Sequence, residues 1–410
     1  MHTVICSNRR SDPSRAPHRG LKTRMHAVVA SGLVGVASLF GPASTHAASL
    51  TGLGDLPGDG FLSTASGVSG DGSTVVGVGL SASGLQAIRH TAGGMVGLGS
   101  LTNVSDQSEA FGISNDGSTV VGYMSSALGN QAFRHTAAAG MVGLGDLPGG
   151  GFESFAWGVS GDGSTVVGFG RSALGQEAFR HTAGGMERLE DVPLAADINP
   201  ATTGWSVLSE ARGVSLDGNT IVGTGTRNGN TEAFRHTAGD GMVDLGDLPG
   251  GIFESRARGV SGDGSTVVGF SRSASGYEAF RHTAAGMVGL GYLPNGFESF
   301  ALGVSGDGST VVGYGSPDPD SEWEYEAFRH TAAGGMERLW DVLVKAGINP
   351  AESGWSVLSE ARGVSLDGNT IVGFGFRDGN FEAFVAVVPE PTTLCVLAAG
   401  AVVVLRRRRK

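Results

Sequence analysis

Gly158-Val159-Ser160-Gly161-Asp162-Gly163-Ser164-Thr165-Val166-Val167-Gly168 decides how this chain folds. An Asp-Gly pair between two short β-prone runs marks a hairpin, because the turn needs a positive φ that glycine tolerates. The same core begins at Gly67, Gly112, Gly213, Gly259, Gly303 and Gly363, with Ile113 replacing Val in the second copy. The spacings are 45, 46, 55, 46, 44 and 60 residues. A second motif, Arg-His-Thr, places its histidine at 90, 135, 181, 236, 282 and 330. The seventh copy degenerates to Ala383-Phe384-Val385-Ala386. A third element, typified by Met141–Pro148, also recurs seven times with variation. Copies two to four return as copies five to seven, so a triplet has been duplicated.

Working outward, each unit reads as four short strands separated by glycine turns. In the third unit these are Ala156–Ser160, Thr165–Gly170, Glu177–Thr182 and Met186–Leu189. Four strands per unit of this length match the blade of a β-propeller. At the ends, Leu53–Pro57 matches a fourth strand, and Ala361–Val388 supplies strands one to three. The expectation is an all-β fold over residues 48–388. It is a seven-bladed β-propeller of four-stranded blades, closed by a blade shared between the N- and C-terminal strands.

Composition agrees with an exported β-protein. Glycine makes up 71 of 410 residues without a collagen period, and 40% apolar content is enough for a core. The net charge of −11 conceals basic ends, and Met25–Pro389 alone is near −20. Such a surface repels phosphate backbones, which argues against nucleic-acid partners. Both cysteines, Cys6 and Cys395, lie outside the repeats, so no disulfide is expected to staple the body.

Residues 1–47 read as a leader and signal peptide. Arg24 precedes the apolar run Ala27–Phe40, and Thr45-His46-Ala47 precedes a cleavage point between Ala47 and Ala48. Residues 389–410 begin with Pro389-Glu390-Pro391, continue through the uncharged Thr392–Leu405 and end in Arg406–Lys410. This order resembles the PEP-CTERM sorting signal. The resemblance implies an exosortase-type processing enzyme, a short transmembrane helix that holds the protein transiently in the inner membrane, and delivery to the surface or biofilm matrix of a Gram-negative bacterium. The alternation of Gly-Val-Ser-x-Asp-Gly with Ala-Phe-Arg-His-Thr looks like the HAF repeat family, which implies an extracellular location and no assigned reaction.

Candidate chemistry is sparse at this level. The six histidines and seven turn aspartates recur once per unit, whereas a reactive site is normally single. They read as structural, and no metal or cofactor is expected. The glycine-rich pieces have no phosphate-loop context. Irregular loop lengths instead point to a binding face. Two matching insertions, Asp191–Ser209 and Asp341–Ser359, carry Trp205 and Trp355, and Asp318–Glu326 carries Trp323 and Tyr325. These rings suit stacking on sugars, with Glu153, Glu254 and Glu298 as polar contacts. The spacing of Leu339, Val342, Leu343 and Ala346 predicts a short helix in the second insertion. Without a unique reactive cluster, the reading is a non-enzymatic binding or matrix-structural module for exopolysaccharide or a surface protein. The alternative is a polysaccharide-cleaving hydrolase or lyase.

Overall fold

The computed structural model describes residues 47–58, 60–100, 107–192, 204–317 and 325–389. Most of the leader, Glu390, Pro391, Trp323 and the expected tail helix lie outside them. Each repeat core forms its hairpin as the sequence dictates. In the third unit, Ser160 Oγ donates to Asp162 Oδ1 at 2.6 Å, Ser164 N donates to the same oxygen at 2.9 Å, and Thr165 N donates to Ser160 Oγ at 3.0 Å. Gly163 takes φ 73°, the left-handed value that the turn requires. These aspartates therefore form turns, and the Ser160 hydroxyl, with the Ser164 amide, draws the Asp162 carboxyl down to about 2.

The Ala-Phe-Arg-His-Thr strand supplies the core. Phe133, Phe179, Phe234, Phe280, Phe328 and Phe384 are fully buried, and Ile88 fills the corresponding place in the first unit. Burying each such ring contributes roughly 1.5–3 kcal/mol. Serine clips join neighbouring units. Buried Ser154 accepts from Ala132 N at 3.0 Å and donates to Gly145 O at 2.6 Å, and Ser63, Ser108, Ser255 and Ser299 make the same pair of bonds. The expected helix is present at Leu339–Lys345, with Leu339, Val342 and Leu343 buried.

The expectation of a closed propeller with seven separate four-stranded blades is corrected by the strand pairing. Among the described residues, hydrogen bonding gathers the strands into five sheets in succession, three of four strands and two of eight, and none closes on itself. The physical reason lies in two long strands, Gly149–Val159 and Gly250–Val260. Their glycine-rich beginnings stay extended where a connecting loop was expected. Glu153 then pairs in parallel with Asn130 of the preceding unit, and Glu254 with Thr231. Units two and three, and units four and five, thus merge into mixed sheets.

Two further contacts link distant parts of the chain. Ser49–Gly52 lies antiparallel on Asn380–Val387, in the register Ser49↔Val387. The hairpin turns also hand backbone hydrogen bonds along from Gly70 N to Asn115 O, through Gly161, Leu216, Gly262 and Gly306, to Leu366, whose N donates to Gly70 O at 3.1 Å. The turns, rather than the sheets, make this continuous circuit.

Candidate active site

The first strand of every unit carries a buried alanine: Ala65, Ala110, Ala156, Ala211, Ala257, Ala301 and Ala361 are each 0% exposed. Alternation along a strand sends the residues on either side of it to the opposite face. Seven first strands therefore direct their flanking side chains inward together. They meet at a cavity of about 260 Å³ lined by Ser66, Phe111, Trp157, Arg212, Arg258, Leu302 and Arg362. The glycine that follows allows this convergence. A Cβ on Gly112 would sit 3.0 Å from Trp157 O, and one on Gly158 would sit 3.2 Å from Arg212 O. Neighbouring first strands are this close only because no side chain intervenes.

The residue before each alanine adds a second tier. This tier includes Glu109, Glu210, Arg256 and Glu360, paired across the hairpin with Tyr123, Thr224, Phe270 and Phe374. Aromatic rings pack in two arcs. Phe111 meets Trp157 at 4.1 Å and Phe155 meets Tyr123 at 4.5 Å, while Phe300 meets Tyr314 and Phe270 at 4.9 Å each. Guanidinium groups cover several of these faces. Arg212 sits 3.9 Å over Trp157, Arg362 sits 4.7 Å over Phe374, and Arg258 sits 5.3 Å over Phe270.

Charge is unevenly matched here. Glu210 pairs with Arg212 at 2.6 Å and Glu360 with Arg362 at 2.8 Å. Burial alone would raise the Glu210 carboxyl, but Arg212, Arg258 and Arg256 outweigh it and hold it below the usual carboxylate range. Glu109 goes the other way: burial pushes its carboxyl up, and Arg362 offsets only part of that. Burial, reinforced by Arg212, depresses the Arg258 guanidinium to about 10. Burial and then Glu360 lift the Tyr314 hydroxyl to about 12. Four buried polar atoms at this cluster, Thr64 Oγ1, Ser66 Oγ, Trp157 Nε1 and Arg258 Nε, have no protein partner.

The first strands thus carry carboxyls in opposed environments, Glu109 raised and Glu210 lowered, together with arginines and aromatic faces. Among the described residues, no three His, Cys, Asp or Glu side chains converge in a way that would hold a metal ion.

The residues singled out from sequence are placed as follows. Trp205 and Trp355 are 5% and 3% exposed and meet Phe234 and Phe384 edge-on, each at 6.0 Å, so they plug the core beneath their insertions. Glu153 sits beside Arg171 at 3.5 Å on the surface. The Glu298 carbonyl accepts from Ser316 N at 2.9 Å, just before its first strand. Glu254 pairs with Arg256 at 3.3 Å and accepts from the Tyr277 hydroxyl at 3.1 Å, and the Tyr277 ring packs against Phe270 and Phe300. Tyr325 meets Tyr314 at 5.0 Å. Tyr325 and Glu254 thus reach the edge of the cluster, and Trp323 lies outside the described residues. Sequence reasoning missed Glu109, Glu210, Glu360 and the arginines. Their signal was present as the two positions flanking the repeated alanine, where the repeats differ from one another.

Residues 387–410 match the PEP-CTERM protein-sorting motif. The chain carries that sorting signal. It implies processing by an exosortase-type enzyme and supports export with surface sorting. The match covers the tail alone and gives no support to a HAF-type family for the repeats. No curated protein sequence matches the chain. Among solved structures, an oligogalacturonate lyase from Vibrio parahaemolyticus is 11% identical, with TM-score 0.49, over 84% of this chain and 98% of its own. An oligogalacturonate lyase in complex with manganese is 14% identical, with TM-score 0.48, over 79% and 88%. TolB from Acinetobacter baumannii is 13% identical, with TM-score 0.39, over 77% and 80%. Likeness at this level says nothing of chemistry.

One expectation is overturned by the cluster itself. A non-enzymatic binding or matrix-structural module was inferred because no unique cluster could be found, and the convergence of first strands supplies a single cavity lined by arginines and aromatic rings, on strands that also carry carboxyls. The expectation of a transmembrane helix is likewise not met among the described residues, where no helix is long and apolar enough to cross a membrane. The tail segment expected to form it falls outside them.

Proposed function

We propose that this protein is a carbohydrate-active enzyme that cleaves polysaccharide at the convergence of its seven first strands. The observation that carries the reading is a cavity lined by Arg212, Arg258, Arg362, Phe111 and Trp157, whose first strands also carry two carboxyls in opposed environments, Glu109 raised and Glu210 lowered. Burial favours the protonated form of Glu109, which suits it to give a proton to the departing glycosidic oxygen, and the Glu210 carboxylate is the group available to accept one. Arg258, Arg212 and Arg362 suit a substrate bearing carboxylates, and Phe111 and Trp157 offer faces for sugar rings. On a uronate, the base removes the C5 proton, the C4–O bond breaks, a C4=C5 double bond forms, and the acid protonates the leaving oxygen. On other sugars, the same acid serves hydrolysis by water. The substrate is read as exopolysaccharide. The working location is the outer surface or matrix of a Gram-negative bacterium, after transient retention in the inner membrane.

The test is cleavage of acidic exopolysaccharides by the processed protein, followed through unsaturated products and new reducing ends. Glu109→Gln is expected to lower turnover by about 10²–10⁴-fold. If a folded Glu109→Gln variant turns over as fast as the parent, or the parent yields neither kind of chain end, the assignment fails.

A further inference from the structure

The internal duplication leaves a second feature that lies away from the cluster. The fourth and seventh units alone carry an arginine at the start of the turn between their second and third strands, Arg227 in Arg-Asn-Gly-Asn and Arg377 in Arg-Asp-Gly-Asn. The corresponding residue is Ser81, Ser126, Ser172 and Ser273 in four of the other units. Each arginine is held by a buried carboxylate: Arg227 by Glu232 at 3.1 Å and Arg377 by Glu382 at 3.0 Å, with both glutamates 4% exposed. Each arginine also lines an outer cavity, about 480 Å³ at Arg227 and about 460 Å³ at Arg377. Both lie within the usual range of ligand pockets, about 300–1,000 Å³.

The two cavities share a further detail. Each is bordered by a solvent-exposed phenylalanine from the next first strand or its approach, Phe253 at 69% and Phe61 at 42% exposure. Both phenylalanines stand six residues before the repeat glycine, Gly259 and Gly67, a position that Phe152 and Phe297 hold in the third and sixth units. Each exposed ring lies beside the fixed hydrogen-bonding groups of its own cavity. The carboxylates outnumber the arginine in both cavities. Glu232, Asp244 and Asp247 surround Arg227, and Glu382 and Asp378 flank Arg377. That balance disfavours phosphates and uronates. It suits an uncharged ligand whose hydroxyls bond the arginine, asparagine and carboxylate groups while its apolar face lies on the phenylalanine.

We propose that these cavities are two equivalent binding sites for uncharged sugar residues, one from each half of the duplication, which grip a glycan at two points. The inference does not depend on the cleavage reading, since neither cavity includes a residue of the central cluster.

The probes are cellohexaose, maltohexaose and xylohexaose, with trigalacturonate as the anionic control, titrated calorimetrically against the processed protein. The parent is expected to bind at least one of the neutral hexasaccharides at two sites. Arg227→Ser, which installs the residue of the other units, is expected to leave one site, and Arg227→Ser with Arg377→Ser none. Because those changes unpair buried glutamates, Phe253→Ala and Phe61→Ala provide a second set that leaves the ion pairs intact. With a long neutral glucan, losing one site should weaken apparent affinity by about 10²-fold, as expected when bivalent attachment becomes single. Silence from all three hexasaccharides overturns the proposal, as does a stoichiometry unchanged in the folded double variants. Cleavage of a short acidic substrate should persist in these variants, so loss of binding here is distinguishable from failure of the central site.

Discussion

His236 couples stability to pH more strongly than any other histidine in the repeats. It is 3% exposed, its Nδ1 has no partner, and Arg180 of the preceding unit lies near it. Burial first, and then that arginine, lower its imidazole from 6.5 to about 4. Below pH 6.5 the unfolded chain takes up a proton that the folded chain refuses. Stability is therefore full above 6.5, falls as pH drops from 6.5 towards 4, and levels off below. At 1.36 kcal/mol per pH unit, that gap corresponds to about 3 kcal/mol. The perturbation is His236→Gln, which keeps a polar side chain but cannot titrate. Urea unfolding of the parent and the variant should be followed at intervals from pH 7.5 to 3.5. The parent should lose about 3 kcal/mol more than the variant across the window from 6.5 to 4. Carboxyls raised by burial, such as Glu109, Glu190 and Glu326, titrate alike in both proteins and cancel in the difference. The turn aspartates contribute only further down, since Asp162 is held at about 2. Parallel curves between pH 6.5 and 4 would refute the reasoning.

Three further expectations follow from the packing and the cluster. Gly158→Ala places a methyl 3.1 Å from Val167 Cγ2 and 3.2 Å from Arg212 O and should cost about 1–3 kcal/mol in urea, whereas Gly184→Ala, with nothing nearer than 3.6 Å, should be nearly neutral. Ser154→Ala strands Ala132 N and Gly145 O and should cost about 1–3 kcal/mol, with calorimetric melting as the check. Arg362→Ala removes the positive charge that offsets burial at Glu109, so the high-pH limb of the cleavage profile should move upward, and a downward shift would contradict Glu109 as the acid.

How much of this was legible in the sequence depends on whether a residue acts within its own repeat or between repeats. The Ser-x-Asp-Gly turns, the Ala-Phe core strand and the helix at Leu339–Lys345 are local consequences of turn chemistry and spacing, and they could be read residue by residue. The fusion of units into eight-stranded sheets could not. Gly149–Gly151 reads as a loop, but Gly149 pairs with Ser172 of its own unit and Glu153 with Asn130 of the preceding one, and these pairings keep the backbone extended there. Trp205 and Trp355 were drawn toward the site by their insertions, although a large ring beneath an insertion is equally suited to fill the space that the insertion opens.

The cluster was hidden for a related reason. Glu109 and Glu360 belong to different units, and nothing local brings them near the same arginine, yet Arg362 acts on both. A motif repeated in every unit is constrained by the fold that every unit shares, as the turn aspartates show through their bonds to the Ser-x-Asp-Gly hairpin. Chemistry specific to one place must then sit where the repeats face a common centre and yet differ. The positions beside the buried alanines meet both conditions. In one unit they are Thr64 and Ser66, in another Phe155 and Trp157, and in a third Arg256 and Arg258. The invariant alanine and glycine hold the geometry constant while these flanking residues change, so a symmetric scaffold presents an asymmetric site.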